Sequence, residues 1–152
     1  MATSTHQSTY VSLLGRACRD GDSKWVRRRL NKFFGDDVDQ RSGKFLFTPL
    51  LFALRKGHLN IAWLLMREGA DVTLKDSHGH NLIHISIISE KVDVTLWAID
   101  HGAAKGVGVN DQTDRGGTPL MLSVKLGTIG ICTLLLSKGS DPSILDISGG
   151  GG

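Results

Sequence analysis

A helical unit of about 33 residues recurs along this chain and constrains its fold more than any other feature of the sequence. The clearest copy runs from Thr48 to Gly79 and begins Thr-Pro-Leu. Thr48 can cap a helix whose first residue is Pro49, because the N–H that proline lacks has no helical partner at that position. Apolar residues at helical spacing follow; Gly57 can end this helix, and a second apolar segment ends at Gly69. The unit therefore predicts a helix, a turn, a second helix and an extended loop.

The same pattern returns at residues 81 and 118, and a weaker copy begins at Ser12. Asn81-Leu82-Ile83-His84 and Thr118-Pro119-Leu120-Met121 align with Thr48-Pro49-Leu50-Leu51. These motifs resemble the ankyrin repeat, with its Thr-Pro-Leu-His-x-Ala signature. The resemblance implies an all-α fold, an ankyrin-repeat solenoid of about four helix-turn-helix units with inter-repeat β-hairpin loops.

Domain boundaries follow from this alignment. We expect a disordered segment at 1–9, an ankyrin repeat domain at 10–148 with repeats at about 10–46, 47–79, 80–116 and 117–148, and a glycine linker or truncated end at 149–152. The last repeat has no following unit to cover its apolar flank, so we expect a fragment of a longer protein. In the third repeat Glu90 replaces the turn glycine, which predicts a less stable turn. Lys105 to Gly108 is an insertion that we expect to form a flexible loop.

Composition excludes several classes of protein. With 40% apolar residues the chain can bury a core, and no apolar run is long enough to span a bilayer. Met1 to Thr9 lacks the cationic and apolar regions of a secretory signal. Cys18 and Cys132 lie in different repeats, which favours reduced, buried thiols in a cytosolic protein. We therefore expect a soluble, cytoplasmic domain.

Catalytic signatures are absent from the sequence. It contains no Gly-x-Ser-x-Gly elbow, no Walker loop and no His-Glu-x-x-His motif, so we predict neither an enzyme nor a cofactor. His78, His80 and His84 could suggest zinc. However, the repeat signature accounts for His84, and the other two lie in a loop where polar variation is expected. We predict no metal site.

The ankyrin resemblance implies a concave binding surface of loop tips and first helices. The residues at the family's contact positions are cationic with apolar islands, which suits a protein or linear peptide with acidic and aliphatic residues, and no small-molecule substrate. The predicted partner-binding residues are Lys44, Phe45, Phe47, Arg55, Lys56, His78, His80, Ile88, Ser89, Arg115, Lys125 and Leu126. Three alternatives stay open: an ordinary solvated face, one of Phe45 and Phe47 folding onto the repeat below, and Trp63 packing along its helix surface instead of projecting freely.

A narrower resemblance is to the amino-terminal ankyrin domain of the ankyrin-bearing Asp-His-His-Cys palmitoyltransferases. It rests on Val38-Asp39-Gln40, on Gly69-Ala70-Asp71 with the following Asp76 and Gly79, and on Thr118-Pro119-Leu120-Met121. It implies recruitment of substrate proteins, through short linear motifs, to a separate catalytic domain at the cytosolic face of an internal membrane. The chain departs from that family where Leu51-Phe52 and Met121-Leu122 replace its usual aromatic or histidine residues.

A different function is suggested by charge. Residues 16–44 hold nine of the eighteen Lys and Arg against five acids. Arg27, Arg28, Arg29 and Lys32 form a basic amino-terminal cap that could dock to anionic membrane or nucleic acid. Nearby aspartates and the small number of aromatic residues argue against nucleic acid, and nothing predicts membrane insertion.

Overall fold

The computed structural model describes residues 10–31, 37–144 and 146, and this part of the chain is helical. It contains eight helices arranged in four pairs: α1 (Leu13–Asp20), α2 (Ser23–Asn31), α3 (Pro49–Lys56), α4 (Leu59–Arg67), α5 (Leu82–Ile88), α6 (Val92–Ala103), α7 (Pro119–Lys125) and α8 (Ile129–Ser137). The expected disordered segment at 1–9 and the glycine end at 149–152 lie outside the described residues.

A polar side chain caps the first helix of every pair. The Thr48 hydroxyl accepts a hydrogen bond from the Leu51 N–H at 3.1 Å, directly before the proline that opens α3. Ser12, Asn81 and Thr118 cap α1, α5 and α7 in the same way. Because each cap satisfies an N–H that has no helical partner, it sets where the helix begins. The four predicted helix starts are confirmed.

A left-handed residue follows the first helix in each pair. Gly21, Gly57 and Gly127 occupy this position with φ of 79°, 79° and 71°, and Glu90 occupies it in the third pair with φ of 60°. Glycine has no Cβ to clash in this conformation, whereas glutamate does. The predicted weak point of the third repeat is therefore present as a strained backbone position.

The core lies between successive helix pairs. α1 packs on α3, α3 on α5 and α5 on α7, and each first helix also packs on its own second helix. Leu54 of α3 and Ile87 of α5 occupy equivalent positions and are each 0% exposed. Val124, their equivalent in α7, is 61% exposed because no described helix packs on that side. Burial thus comes from the neighbouring pair as much as from the pair itself.

Three loops connect the pairs and turn at tip 1 (42–47), tip 2 (76–80) and tip 3 (113–117). Ser42 and Phe47 form an antiparallel bridge, the one β pairing among the described residues. Backbone hydrogen bonds join consecutive tips: the Ser77 N–H donates to the Phe45 carbonyl oxygen at 2.8 Å, and the Asp114 N–H to that of His78 at 3.0 Å. The tips therefore form one connected edge.

The insertion at Lys105 to Gly108 is an ordered turn and not the flexible loop that the sequence suggested. The Val107 N–H donates to the Gly102 carbonyl oxygen at 2.9 Å, which ends α6. The Val107 side chain is buried in the core. An apolar anchor inside the insertion explains why it packs.

Candidate protein-interaction surface

Six aromatic and imidazole rings form a continuous row from α3 to α5, which we call the ring row. It starts on α3, crosses tip 1 and tip 2, and ends on α5. Neighbouring ring centroids are 5.2, 6.2, 5.5, 6.2 and 5.7 Å apart in the order Phe52, Phe47, Phe45, His78, His80, His84. These separations are typical of interacting aromatic pairs. The hydrogen bond between tips 1 and 2 brings the two halves of the row together.

Burial divides the ring row into supports and exposed rings. Phe47 is only 5% exposed, and its ring stands edge-on to Phe52 at 70°. Phe45 is 38% exposed and His78 is exposed, whereas His84 is buried. The expectation that Phe47 offers an exposed contact is wrong, because its position directly before the cap of α3 turns the ring into the core. Of the two phenylalanines, Phe47 is the one that folds down.

A cation lies beside each phenylalanine ring of tip 1. The Lys44 ammonium lies 5.6 Å from the Phe45 ring centroid, and the Arg55 guanidinium lies 5.8 Å from that of Phe47. Lys56, the last residue of α3, is exposed. A cation over a ring face is attracted by the electron density of the ring. The side chains of tip 1 and α3 thus combine apolar surface with positive charge.

Asp76 holds tip 2 and the His80 ring in place. Its Oδ1 accepts hydrogen bonds from the His78 and His80 N–H groups at 2.9 Å each, and Oδ2 lies 2.9 Å from His80 Nδ1. Burial raises the pKa of Asp76, but the hydrogen bonds from His80 and His78 outweigh it, so the pKa lies below its usual range. An ionised Asp76 therefore orients His80 at the edge of the row.

His84 links α5 to the next loop. Its Nδ1 accepts from the Asn81 N–H at 3.2 Å, and Nε2 donates to the Gly117 carbonyl oxygen at 3.0 Å. Burial lowers its pKa to about 4, against the smaller opposite effect of the Gly117 hydrogen bond. These hydrogen bonds give His84, which the repeat signature accounts for, a structural role between α5 and the next loop. Within the described residues, no group of three His, Cys, Asp or Glu side chains is arranged to hold a metal ion.

A groove of about 460 Å³ continues from the ring row onto the last repeat. Its lining includes His80 and His84 from the ring row, and Met121, Leu122, Val124 and Lys125 from α7. Asp146 also lines it. The predicted residue Lys125 thus lines the same groove as the two histidines. Sequence reasoning missed Met121, Leu122 and Val124 as lining residues, although the departure of Met121-Leu122 from the palmitoyltransferase pattern was a signal for two of them.

The remaining predicted residues belong neither to the ring row nor to the lining of the groove. Arg115 is exposed on tip 3, and Leu126 is 41% exposed just after α7. Ile88 is partly buried against the core. The Ser89 hydroxyl donates to the Ser86 carbonyl oxygen at 2.6 Å, which ends α5. Ile88 and Ser89 therefore have clear structural roles, and their contacts give no sign of a binding surface.

Trp63 packs along the second helices. It is 54% exposed, and its ring lies edge-on to Trp97 and His101, with centroids 5.8 and 5.1 Å away. The alternative in which this tryptophan packs partly along the helix surface is the one observed. This cluster lies on α4 and α6, whereas the ring row and groove are built from first helices and tips.

The basic cap has one clearly cationic face. Lys24, Arg27 and Arg28 are exposed at positions i, i+3 and i+4 of α2, which places them side by side. Arg29 instead lies with its guanidinium 5.8 Å from the Trp25 ring centroid, and Lys32 is outside the described residues. Three adjacent cations make a small positive surface.

Two further features concern the cysteines and the length of the helices. Cys18 and Cys132 are free thiols, and burial raises the pKa of Cys18 to about 12. None of the helices in 10–31 and 37–144 has both the length and the apolar character needed to cross a membrane.

Comparison with known protein families finds ankyrin repeats. A family model described as ankyrin repeats in three copies matches residues 68–146, and a second, for the single ankyrin repeat, matches residues 46–77. The two matches together span the described structure from tip 1 to the end of the last repeat.

Curated relatives include palmitoyltransferases. Palmitoyltransferase ZDHHC13 of Homo sapiens is 38% identical over 113 residues, covering 74% of this chain and 17% of that protein. Palmitoyltransferase AKR1 of Lachancea kluyveri is 29% identical over 105 residues, covering 68% of this chain and 14% of that protein. Palmitoyltransferase Hip14 of Drosophila melanogaster is 40% identical over 78 residues, covering 51% and 12%. This chain therefore matches less than a fifth of the length of each of these relatives.

Proposed function

We propose that this chain, which belongs to the ankyrin-repeat family, is a non-catalytic module that binds an extended peptide or partner protein. In this proposal the four helix pairs, at about 10–46, 47–79, 80–116 and 117–148, stack as a solenoid. The tips and first helices form its concave face. The binding surface is the exposed part of the ring row together with the groove.

The observation that carries the proposal is the continuity of these two features. Phe45, His78 and His80 form an exposed or half-exposed run of rings, and His80 also lines the groove that Lys125 borders. Exposed aromatic side chains give much contact area at low entropic cost, which favours interfaces. Lys44 lies over the Phe45 ring, and Lys125 lines the groove together with Asp146. These two lysines favour a partner with acidic residues. The surface therefore suits an extended segment with acidic and aliphatic side chains.

The relatives suggest what such binding would serve. Each is a palmitoyltransferase of which this chain resembles only a small part. We propose that this module recruits substrate proteins for acyl transfer that takes place elsewhere in a longer protein. The module itself would then lie at the cytosolic face of the membrane that carries the catalytic domain.

A peptide-display selection tests the binding surface. A random-peptide library is selected on the wild-type chain, and the enriched peptides are then measured against Lys56→Glu and Phe45→Ala. We expect each variant to weaken binding by about tenfold, equivalent to about 1.4 kcal/mol. Phe47→Ala is unsuitable as a probe, because loss of a buried ring destabilises the region under study.

Arg67→Glu is the matched control, since it reverses an exposed charge on α4 away from the tips and first helices. It should leave peptide affinity unchanged while Lys56→Glu lowers it. Equal binding to the wild type, Lys56→Glu and Phe45→Ala would refute the proposed surface.

The basic cap supports a second candidate function, docking to anionic lipid. Lys24, Arg27 and Arg28 share one exposed face of α2, and a positive surface near a membrane gains about 1 kcal/mol per cation. Sedimentation with phosphatidylserine vesicles should then be lost with Arg27→Glu and at high salt. Sedimentation unaffected by either would remove this candidate.

A further inference from the structure

Tip 1 contains a leucine where the other two tips contain glycine. Leu46, Gly79 and Gly116 each lie two residues before the capping residue of the next helix. Their φ angles are 57°, 81° and 84°. For a residue with a Cβ, this left-handed conformation costs about 1–2 kcal/mol. Tip 1 thus carries a backbone cost that glycine would avoid.

Several hydrogen bonds hold Leu46 in this conformation. Its N–H donates to the Gly43 carbonyl oxygen at 3.2 Å. Arg41 Nε donates to the Leu46 carbonyl oxygen at 3.2 Å, and Arg41 Nη2 to that of Lys75 at 2.6 Å. The bridge between Ser42 and Phe47 closes the loop on both sides. The surrounding structure therefore fixes the backbone conformation of Leu46 and, with it, the direction in which its Cβ leaves the backbone.

Burial of the Leu46 side chain does not offset this backbone cost. Leu46 is 39% exposed, next to Phe45, which is 38% exposed. We call this pair the apolar tip. Residues held in strained backbone conformations are concentrated at functional sites, where the strain fixes a side chain in position. An exposed apolar side chain held at such a cost, beside an exposed aromatic ring, indicates a contact surface.

Charge around the apolar tip indicates the partner's chemistry. Lys44 lies over the Phe45 ring, and Arg41 is exposed beside Leu46. Acidic side chains of a partner could pair with these cations while an apolar side chain covers Leu46. A purely apolar partner would leave the same cations partly desolvated and unpaired.

We propose that Leu46 is a specificity-determining contact, and that the apolar tip selects an aliphatic or aromatic side chain on an extended acidic segment of the partner. This inference rests on the proposed function, because it assigns one position within the same peptide-binding surface. A partner would then need an apolar side chain at this position in addition to the residues that fit the groove.

Replacement of Leu46 by glycine separates binding from stability. Leu46→Gly removes the side chain and also relieves the backbone cost, so the melting temperature should stay the same or rise while peptide affinity falls. Leu46→Ala removes most of the side chain but keeps the Cβ and its cost. Peptides enriched from the random library on the wild-type chain should bind both variants about tenfold more weakly.

Lys125→Glu, in the groove, distinguishes this inference from the proposed function. Peptides that lose affinity for Lys125→Glu but bind Leu46→Gly as tightly as the wild type would overturn the inference and leave the proposed function standing. Loss of affinity with Leu46→Gly but not with Leu46→Ala would also overturn it, because the backbone and not the side chain would then matter. A library that enriches nothing, or peptides indifferent to every variant, would overturn both.

Discussion

Glu90 gives the most direct test of how the repeats are stabilised. It has φ of 60° at the turn between α5 and α6, where the other three repeats have glycine. Its side chain is exposed and forms no hydrogen bond within the described residues, and its N–H donates to the Ile87 carbonyl oxygen at 2.9 Å. Glu90→Gly therefore removes a Cβ from a strained position without removing a side-chain interaction seen in the structure.

The expected effect follows from two opposing costs. Relief of the left-handed conformation stabilises the folded chain by about 1–2 kcal/mol. The greater freedom of glycine stabilises the unfolded chain by about 0.4–1 kcal/mol. The difference is about 1 kcal/mol in favour of Glu90→Gly, which for a domain of this size raises the melting temperature by about 2–4 °C.

Urea unfolding followed by circular dichroism measures this difference. Glu90→Ala is the control, because it removes the carboxylate but keeps the Cβ, so it should gain much less than Glu90→Gly. Gly57→Ala is the converse change at φ of 79° and should destabilise the chain. If Glu90→Gly destabilises the chain as an ordinary glycine substitution does, the strain argument fails, both here and at Leu46.

Three further predictions concern side chains and pH. The pKa of His84 is near 6.5 in the unfolded chain and about 4 in the folded chain, so its full contribution to the free energy of unfolding is present above pH 6.5. That free energy should be lower by about 2 kcal/mol at about pH 5. His84→Gln should flatten this profile in urea titrations, and an unchanged profile would contradict the assignment. In the same assay Phe47→Ala should lower the free energy of unfolding by about 3–5 kcal/mol, and Phe45→Ala by less than about 1 kcal/mol. Similar losses for the two variants would contradict the burial of Phe47. Burial raises the pKa of Asp39, against the smaller opposite effect of the hydrogen bond that its carboxylate accepts from the Asp71 N–H. Asp39→Asn should therefore stabilise the chain at neutral pH and lose this gain at low pH, where Asp39 is protonated; a gain independent of pH would argue against a charge effect.

The local fold was predictable because its signals are local. Thr48, Thr118 and Asn81 mark helix starts by capping chemistry that acts within three residues, and Gly57 marks a turn by its own φ. The same reasoning identified Glu90 as the exception. Such features depend on the nearest neighbours in sequence, so a single sequence contains them.

The surface was less predictable because it depends on contacts between repeats. Phe45 and Phe47 are two residues apart and of the same type, yet one is exposed and the other is packed against Phe52. Only the path of tip 1 over α3 decides between them. Val107 was hidden in a glycine-rich insertion whose composition indicated flexibility, and its burial depends on the end of α6.

Leu46 shows a limit of a different kind. Its importance comes from comparing φ at equivalent tip positions, which requires the structure. Alignment of the repeats places a leucine where glycine stands in the other tips, so the exception is visible in the sequence, although the backbone conformation that makes it costly is not.

The central claim is that partners bind along the ring row and groove. The most direct measurement is a map of backbone amide chemical shifts on adding a peptide selected on the wild-type chain. The account predicts that the largest changes lie at Phe45, His78, His80 and Lys125. Changes confined to α2 around Arg27 and Arg28, or to the second helices around Trp63, would contradict it.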